Sequence, residues 1–267
     1  MTTFDEATIS RAILDTYHQE LTNRLVGDVL IAGAGPSGLM AACHLARQGL
    51  KVAVLEKRLA PGGGIWGGGI GMSQIVVPDE ALPLLDEMGI QHVAYRDGLH
   101  TANAIELAAG LCVRAIEAGA AVLNLLTVED LCVHDGRVVG LVVNRSLVGD
   151  SLPVDPITFS AKAVLDATGH EAVVAAALQR RGLLASDGPE GKRGEGPMNA
   201  TEGEAFVVDN VSEVYPGLWV AGMSVCAVLG GPRMGPIFGG MLLSGRHAAQ
   251  RIAAALTNAS ATGGARA

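Results

Sequence analysis

The chain has 267 residues, of which 49% are apolar and 17% charged, so it is no disordered polypeptide and is long enough to bury a large core. Its 19 basic and 27 acidic residues give a net charge of −8 with no basic stretch, which argues against nucleic acid or an anionic membrane as a main partner. The four cysteines, Cys43, Cys112, Cys132 and Cys226, are scattered without C-x-x-C or zinc spacing, so a reducing, cytoplasmic location is expected.

The first residues carry acids and no long apolar run, so neither a leader nor a membrane span is expected there. Residues 5–23 are expected to form an amphipathic helix with Ile9, Ile13 and Leu21 on its apolar side. DVLIAG then reads as a buried strand, GAGPSG as a tight turn, LMAACHLARQG as a helix closed by Gly49, and KVAVLEKR as a second buried strand. Together they make a βαβ unit of roughly 30 residues. Residues 61–72, PGGGIWGGGIGM, hold seven glycines and read as a loop built for a ligand or a neighbouring chain. DEALPLLDEMGI is a short helix and residues 102–118 a longer, Ala-rich one. AAVLNLL, TVEDLCVHDG and RVVGLVVNRS read as strands, the last two joined by a turn at His134–Gly136. KAVLDATG is another buried strand, and HEAVVAAALQRRG a helix. Residues 185–204 are polar and Gly-rich and are expected to be a mobile loop. GLWVAGM is the last core strand, MGPIFGGMLLSGRHAAQRIAAAL a helix after its own Gly turn, and 257–267 a disordered tail.

This order predicts one α/β domain over 1–267 with its core in 24–256: a Rossmann-like, flavoprotein-type, three-layer fold with a mainly parallel sheet and a small inserted β subdomain. Within it, Gly33-Ala34-Gly35-Pro36-Ser37-Gly38 is a G-x-G-x-x-G that follows a strand and opens a helix, and Glu56 ends the next strand near the expected spacing of about 20 residues. Gly33, Gly35 and Gly38 let the backbone approach a pyrophosphate at a helix N-terminus, and Glu56 can accept hydrogen bonds from an adenosine ribose. A flavoenzyme is the default reading of that architecture, although fold alone does not set chemistry.

A longer set of strings is more specific. PGGGIWGGGIGMSQIVV, TVEDL, VDPITF, DATGH, VYPGLWVAGM and GGPRMGPIFGGM, spread in order between about residue 8 and residue 255, resemble the thiamine thiazole synthase family, most of all its archaeal and bacterial sulfide-using branch. The resemblance implies that NAD is a bound substrate. NAD loses nicotinamide, the ADP-ribose opens to a ketone, glycine condenses as an imine, and sulfide closes a thiazole, giving an ADP-linked thiazole carboxylate. It further implies Fe(II) held by Asp155 and His170, glycine bound by Arg233, and dinucleotide contacts at Ser37, Lys57, Gly64, Val128, Pro153, Val154 and Met223. Ring-like homo-oligomers, expected as octamers, are also implied, with Ser37 reaching an adjacent subunit's ligand.

On their own chemistry these residues stay open to plainer roles. A carboxylate and an imidazole suit Fe(II) with positions left for substrate. Equally, Asp155 suits a turn before Pro156, and His170 a helix start or a satisfied core histidine. Arg233, between glycines and prolines, can pair bidentately with a carboxylate. Val128 and Met223 suit core packing as well as a dinucleotide wall. Three departures from the family pattern stand out: Pro153 where relatives carry a sulfur-donating Cys or a His, Arg145 where they carry Trp, and Leu229 where they carry His. Pro can neither donate sulfur nor move a proton, so sulfur is expected from free sulfide or another carrier. An enzyme diverted to another NAD-derived product, an FAD-dependent oxidoreductase, an isomerase of ribose 1,5-bisphosphate and a non-catalytic NAD sensor are the competing readings.

Overall fold

Strands covered on both faces need unbroken apolar sequence, and two adjacent segments of the chain supply it. The computed structural model describes residues 3–147, 155–185 and 194–263. A first helix, α1 (Glu6–Arg24), leads into β1 (Val26–Ala32), α2 (Pro36–Arg47) and β2 (Val52–Glu56). Then come β3 (Gln74–Pro78), α3 (Leu82–Met88), β4 (His92–Arg96), β5 (Leu99–Asn103) and α4 (Ala104–Glu117). They are followed by β6 (Ala121–Asn124), β7 (Leu126–His134), β8 (Arg137–Arg145), β9 (Ile157–Asp166) and α5 (Val173–Arg180). The chain continues through β10 (Gly196–Met198), α6 (Ala200–Asp209), β11 (Ser212–Tyr215), β12 (Leu218–Val220), α7 (Met223–Leu229), β13 (Pro232–Arg233) and α8 (Gly239–Gly263).

The main sheet runs β11-β12-β9-β1-β2-β6. Its pairings from β12 to β6 are parallel, and β11 is an antiparallel edge. Every residue of β2 is buried, as are the last four of β1. β9 takes β1 along one edge; along the other, its first residues pair with β8 and its last with β12. The β7–β8 hairpin thus joins the main sheet through β8. The insertion after β2 forms a separate antiparallel sheet in the order β3-β5-β4. This is the α/β, mainly parallel fold that the sequence predicts; the strands of the three-stranded insertion are not among those predicted. No helix among the described residues is long and apolar enough to cross a membrane.

Helix α2 carries the glycine motif into the core and buries ten of its twelve residues. It packs closely on α8 because the contact is made by small residues. A Cβ on Gly245 would lie 2.3 Å from the Ser37 carbonyl oxygen and 3.0 Å from the Met40 Cβ.

Several local expectations are corrected. Residues 185–204 do not form one loop: β10 and the start of α6 occupy 196–204, because β10 finds a parallel partner in β13. No local pattern announces so distant a partner. The segment 257–267 is not wholly a tail, since α8 continues to Gly263. The apolar side of α1 is not buried by this chain: Ile9, Ile13 and Leu14 are exposed and only Leu21 packs against the core. The start of the predicted helix over 102–118 belongs to β5, and α4 begins at Ala104 under an Asn103 side-chain cap. Strands β3, β4 and β5 were hidden by their mixed, partly exposed composition. Of the cysteines, Cys43 and Cys226 are buried, Cys112 and Cys132 are partly buried, and all are free.

The α2–α8 contact yields a test. Alanine at a helix interior is worth up to about 1 kcal/mol over glycine, but in Gly245→Ala the backbone contact outweighs it. The variant should be less stable by about 1–3 kcal/mol in urea unfolding; equal or greater stability would show that the two helices are not locked together.

Candidate active site

In open α/β sheets ligands bind beyond the carboxyl ends of the strands where the strand order reverses. Here that point lies between β1 and β9, since the chain leaves β1 for β2 on one side and returns through β9 on the other. A cavity of about 740 Å³ opens there, lined from the ends of β1, β2, β9 and β12 by residues including Gly33, Glu56, Thr168 and Gly222. Its size is within the range of small-molecule and cofactor sites.

The three motif glycines do different work. Gly33 has φ +94°, and a Cβ there would sit 2.5 Å from the Ala167 carbonyl oxygen. A Cβ on Gly38 would sit 2.1 Å from the Gly33 carbonyl oxygen, so this glycine packs the helix on the turn and does not itself line the cavity. Gly35 has no neighbour within 4 Å of its would-be Cβ and faces the cavity. Gly35 is also the N-cap of α2 and makes no side-chain cap, so the helix presents free N–H groups to the opening. Glu56 is buried; its Oε2 accepts from the Ala34 N–H and its Oε1 from the Arg58 N–H, both at 2.8 Å. Each oxygen keeps a second lone pair toward the cavity.

Across the cavity the end of β9 is organised by Asp166, which has no exposed surface. Its Oδ2 accepts the N–H groups of Val174 and Ala175 at 2.9 and 3.0 Å, capping α5. Its Oδ1 accepts from Thr168 N–H, Thr168 Oγ1 and Ser224 Oγ. Thr168 Oγ1 in turn accepts from Val173 N–H at 2.8 Å. The N-terminus of α5 is thereby filled from inside the protein, while that of α2 is left for a ligand.

The turn between β9 and α5, Gly169–Glu171, carries His170 and Glu171 to the cavity. Glu171 Oε2 accepts from Lys57 Nζ at 2.8 Å, a pair across the mouth, and the neighbouring Lys57 holds the Glu171 carboxyl below its ordinary range. His170 is largely exposed, and its Nδ1 lies 2.5 Å from Glu195 Oε1. The other oxygen of Glu195 lies 3.5 Å from Nε of Arg233, which also lines the cavity. The parallel β10–β13 pairing, Gly196 with Pro232 and Met198 with Arg233, places Glu195 beside Arg233.

The far wall comes from the loop before α8, through Gly235, Pro236 and Phe238, and from Met241 in the first turn of α8. It is anchored by Glu204 of α6, whose Oε2 accepts from the Gly240 N–H at 2.6 Å, while its buried Oε1 has no hydrogen-bond partner among the described residues.

The structure therefore brings Gly33, Gly35, Ser37, Glu56, Lys57 and Gly64 to one cavity with Val128, His170, Met223 and Arg233. Ser37 is buried and lines the cavity of its own chain. Asp155 is exposed and does not line the cavity. Pro153 and Val154 lie outside the described residues. Among the described residues, no group of three or more His, Cys, Asp or Glu side chains could hold a metal. The imidazole half of the expected ligand pair nevertheless fits. With Nδ1 held by a carboxylate, Nε2 is the free ring nitrogen, the arrangement by which ligating histidines are usually oriented. Sequence reasoning missed Asp166, Glu195 and Glu204. Asp166 stood within the DATGH string, but the roles of Glu195 and Glu204 depend on β10 and α6, which local patterning did not reveal.

Comparison with known proteins identifies relatives along nearly the whole chain. Residues 10–238 match the model of the Thi4 family. A thiamine thiazole synthase from Pyrococcus horikoshii is 50% identical over 248 residues, covering 92% of this chain and 96% of that protein. One from Methanothermobacter thermautotrophicus is 48% identical over 250 residues, covering 93% and 97%. The crystal structure of THI4 from Thermovibrio ammonificans superposes with a TM-score of 0.91 at 41% identity, covering 96% of this chain and all of that one.

Glu204 makes stability depend on pH. Burial, reinforced by Glu80 and opposed by the Gly240 N–H, pushes its carboxyl from 4.5 up to about 7. The native state therefore keeps a proton that the unfolded state releases, so stability falls as pH rises from about 4.5 to about 7 and is level above. Glu204→Gln keeps an acceptor for Gly240 and removes the ionisation. The variant should match the parent at pH 4.5 and exceed it at pH 8 by up to about 3 kcal/mol in urea unfolding. Parallel pH profiles would contradict the assignment.

Proposed function

The chain belongs to the Thi4 family, and on that premise we propose that it forms the ADP-linked thiazole carboxylate of thiamine biosynthesis from NAD, glycine and sulfide, with Fe(II). The observation that carries the reading is the single cavity in which a free helix N-terminus, the buried Glu56 carboxylate, an imidazole and a guanidinium converge. A pyrophosphate suits the N–H groups of α2, where Gly35 leaves room for close approach. The ribose hydroxyls suit the remaining lone pairs of Glu56. Together these contacts set the nicotinamide ribose toward His170 and Arg233, across the cavity. Arg233, with Nε turned to Glu195, keeps its terminal nitrogens for the carboxylate of glycine.

His170 and Asp155 would hold the iron, which supplies Lewis-acid polarisation of substrate oxygens and nitrogens. Because Asp155 is exposed and off its own chain's cavity, it is available to a neighbouring copy in the expected ring-like octamer. No thiol lines the cavity among the described residues, and burial, reinforced by the charge of Glu195, pushes the thiol of Cys226 up to about 11. A protein sulfur donor is therefore a poor fit, and free sulfide is the donor in this reading, which makes multiple turnovers feasible.

Anaerobic incubation with Fe(II), NAD, glycine and sulfide should yield an adenylated thiazole by mass spectrometry. Its absence would remove the reading, and a yellow, flavin-loaded protein would favour an oxidoreductase instead. His170→Ala should abolish turnover yet keep NAD affinity within about twofold by equilibrium dialysis, because the pyrophosphate and ribose contacts proposed here lie on α2 and β2. Gly35→Ala should unfold like the parent, having no neighbour to clash with. It should nevertheless bind NAD at least about tenfold more weakly, because the backbone can no longer approach the pyrophosphate.

A further inference from the structure

We propose that Glu195 is a positioning residue that couples metal binding to amino-acid binding by holding His170 and Arg233 from one carboxylate. The inference rests on the function proposed above and adds a residue to it. Glu195 has only 14% of its side chain exposed, whereas His170 and Arg233 have 59% and 54%. It does not line the cavity but stands behind both side chains that do. One oxygen is 2.5 Å from His170 Nδ1 and the other 3.5 Å from Arg233 Nε.

The chemistry of the two contacts differs. At His170 an acceptor on Nδ1 selects the tautomer with its proton there and leaves the Nε2 lone pair facing out, as a ligating imidazole requires. The acceptor need not be charged. At Arg233 the planar guanidinium is held through Nε, so its two terminal nitrogens form the fork that meets a carboxylate. That contact depends on the negative charge of Glu195. Exposed side chains of this length are otherwise free to adopt many rotamers, and ordering them on binding costs affinity. A shared backing carboxylate lowers that cost for both at once. It also fixes their separation, so a metal on the imidazole and a carboxylate on the guanidinium sit at a set distance. The short β10–β13 pairing brings Glu195, which precedes β10, beside Arg233 at the end of β13.

The test uses the full-length protein with Co(II) as a spectroscopic stand-in for iron, alongside glycine KM in the Fe(II) product assay. Glu195→Ala should weaken Co(II) binding by about 10- to 100-fold and raise glycine KM at least tenfold, while NAD affinity and melting temperature stay near parental. Glu195→Gln supplies a neutral acceptor to Nδ1 but no charge to Arg233. It should recover most of the Co(II) affinity while glycine KM stays high, a split that a merely structural residue would not produce. Parental Co(II) affinity and glycine KM in Glu195→Ala would overturn the proposal. So would equal loss of NAD, metal and melting temperature in both variants, or a parent protein that binds no Co(II). A parent that makes no thiazole yet loses Co(II) with Glu195→Ala would sink the proposed function and leave the role of Glu195 at the imidazole standing.

Discussion

A carboxylate with no exposed surface sits at the carboxyl end of β9, and the geometry of the cleft follows from how its charge is satisfied. Burying an ionised group without partners is prohibitive. Asp166 is tolerated because five donors meet it: two N–H groups of α5, the N–H and hydroxyl of Thr168, and the hydroxyl of Ser224. Those donors come from the turn after β9, from α5 and from α7. A single charge thus draws three elements to one strand end and gives the intervening turn, with His170 on it, little freedom to move.

The same arrangement explains why one cavity has two unlike ends. Helices α2 and α5 both begin beside it, and each carries the partial positive charge of its first turn. At α5 that charge is met by Asp166. At α2 no side chain caps the first turn, so an external anion is the natural partner. The glycines follow this logic: Gly33 and Gly38 are required by backbone contacts within the protein, and Gly35 alone is spared for the ligand. A flavoprotein-type scaffold therefore offers an open helix N-terminus, and in the proposed function the chemistry falls to His170, Arg233 and the residues behind them.

Two of the departures from the family pattern have structural partners. The guanidinium of Arg145, at the end of β8, lies 5.7 Å from the ring centroid of Tyr17 in α1, a cation–π contact that helps tie the N-terminal helix to the hairpin. Leu229, the other departure read from the sequence, ends α7 packed against the core. Neither side chain lines the cavity. Ile9, Ile13 and Leu14 of α1 are exposed, so the apolar side read from the sequence is not packed by this chain.

What the amino-acid sequence determined by itself was whatever rests on short-range pattern. Unbroken apolar runs mark β1, β2 and the end of β9; the glycine spacing marks the turn into α2; the acid at the end of β2 marks Glu56. These signals are legible because steric limits on the backbone and the periodicity of side chains act over a few residues. The family strings carried His170 and Arg233 forward in the same way. The three-stranded insertion, the pairing of β10 with β13 and the helix α6 were decided only by tertiary structure, since their residues become ordered by partners far along the chain. Asp166, Glu195 and Glu204 belong to that second class. A carboxylate in a sequence looks solvated; only the donors that folding assembles around it, distant in sequence, show whether its charge organises a strand end, backs two side chains of the cavity or is suppressed by burial.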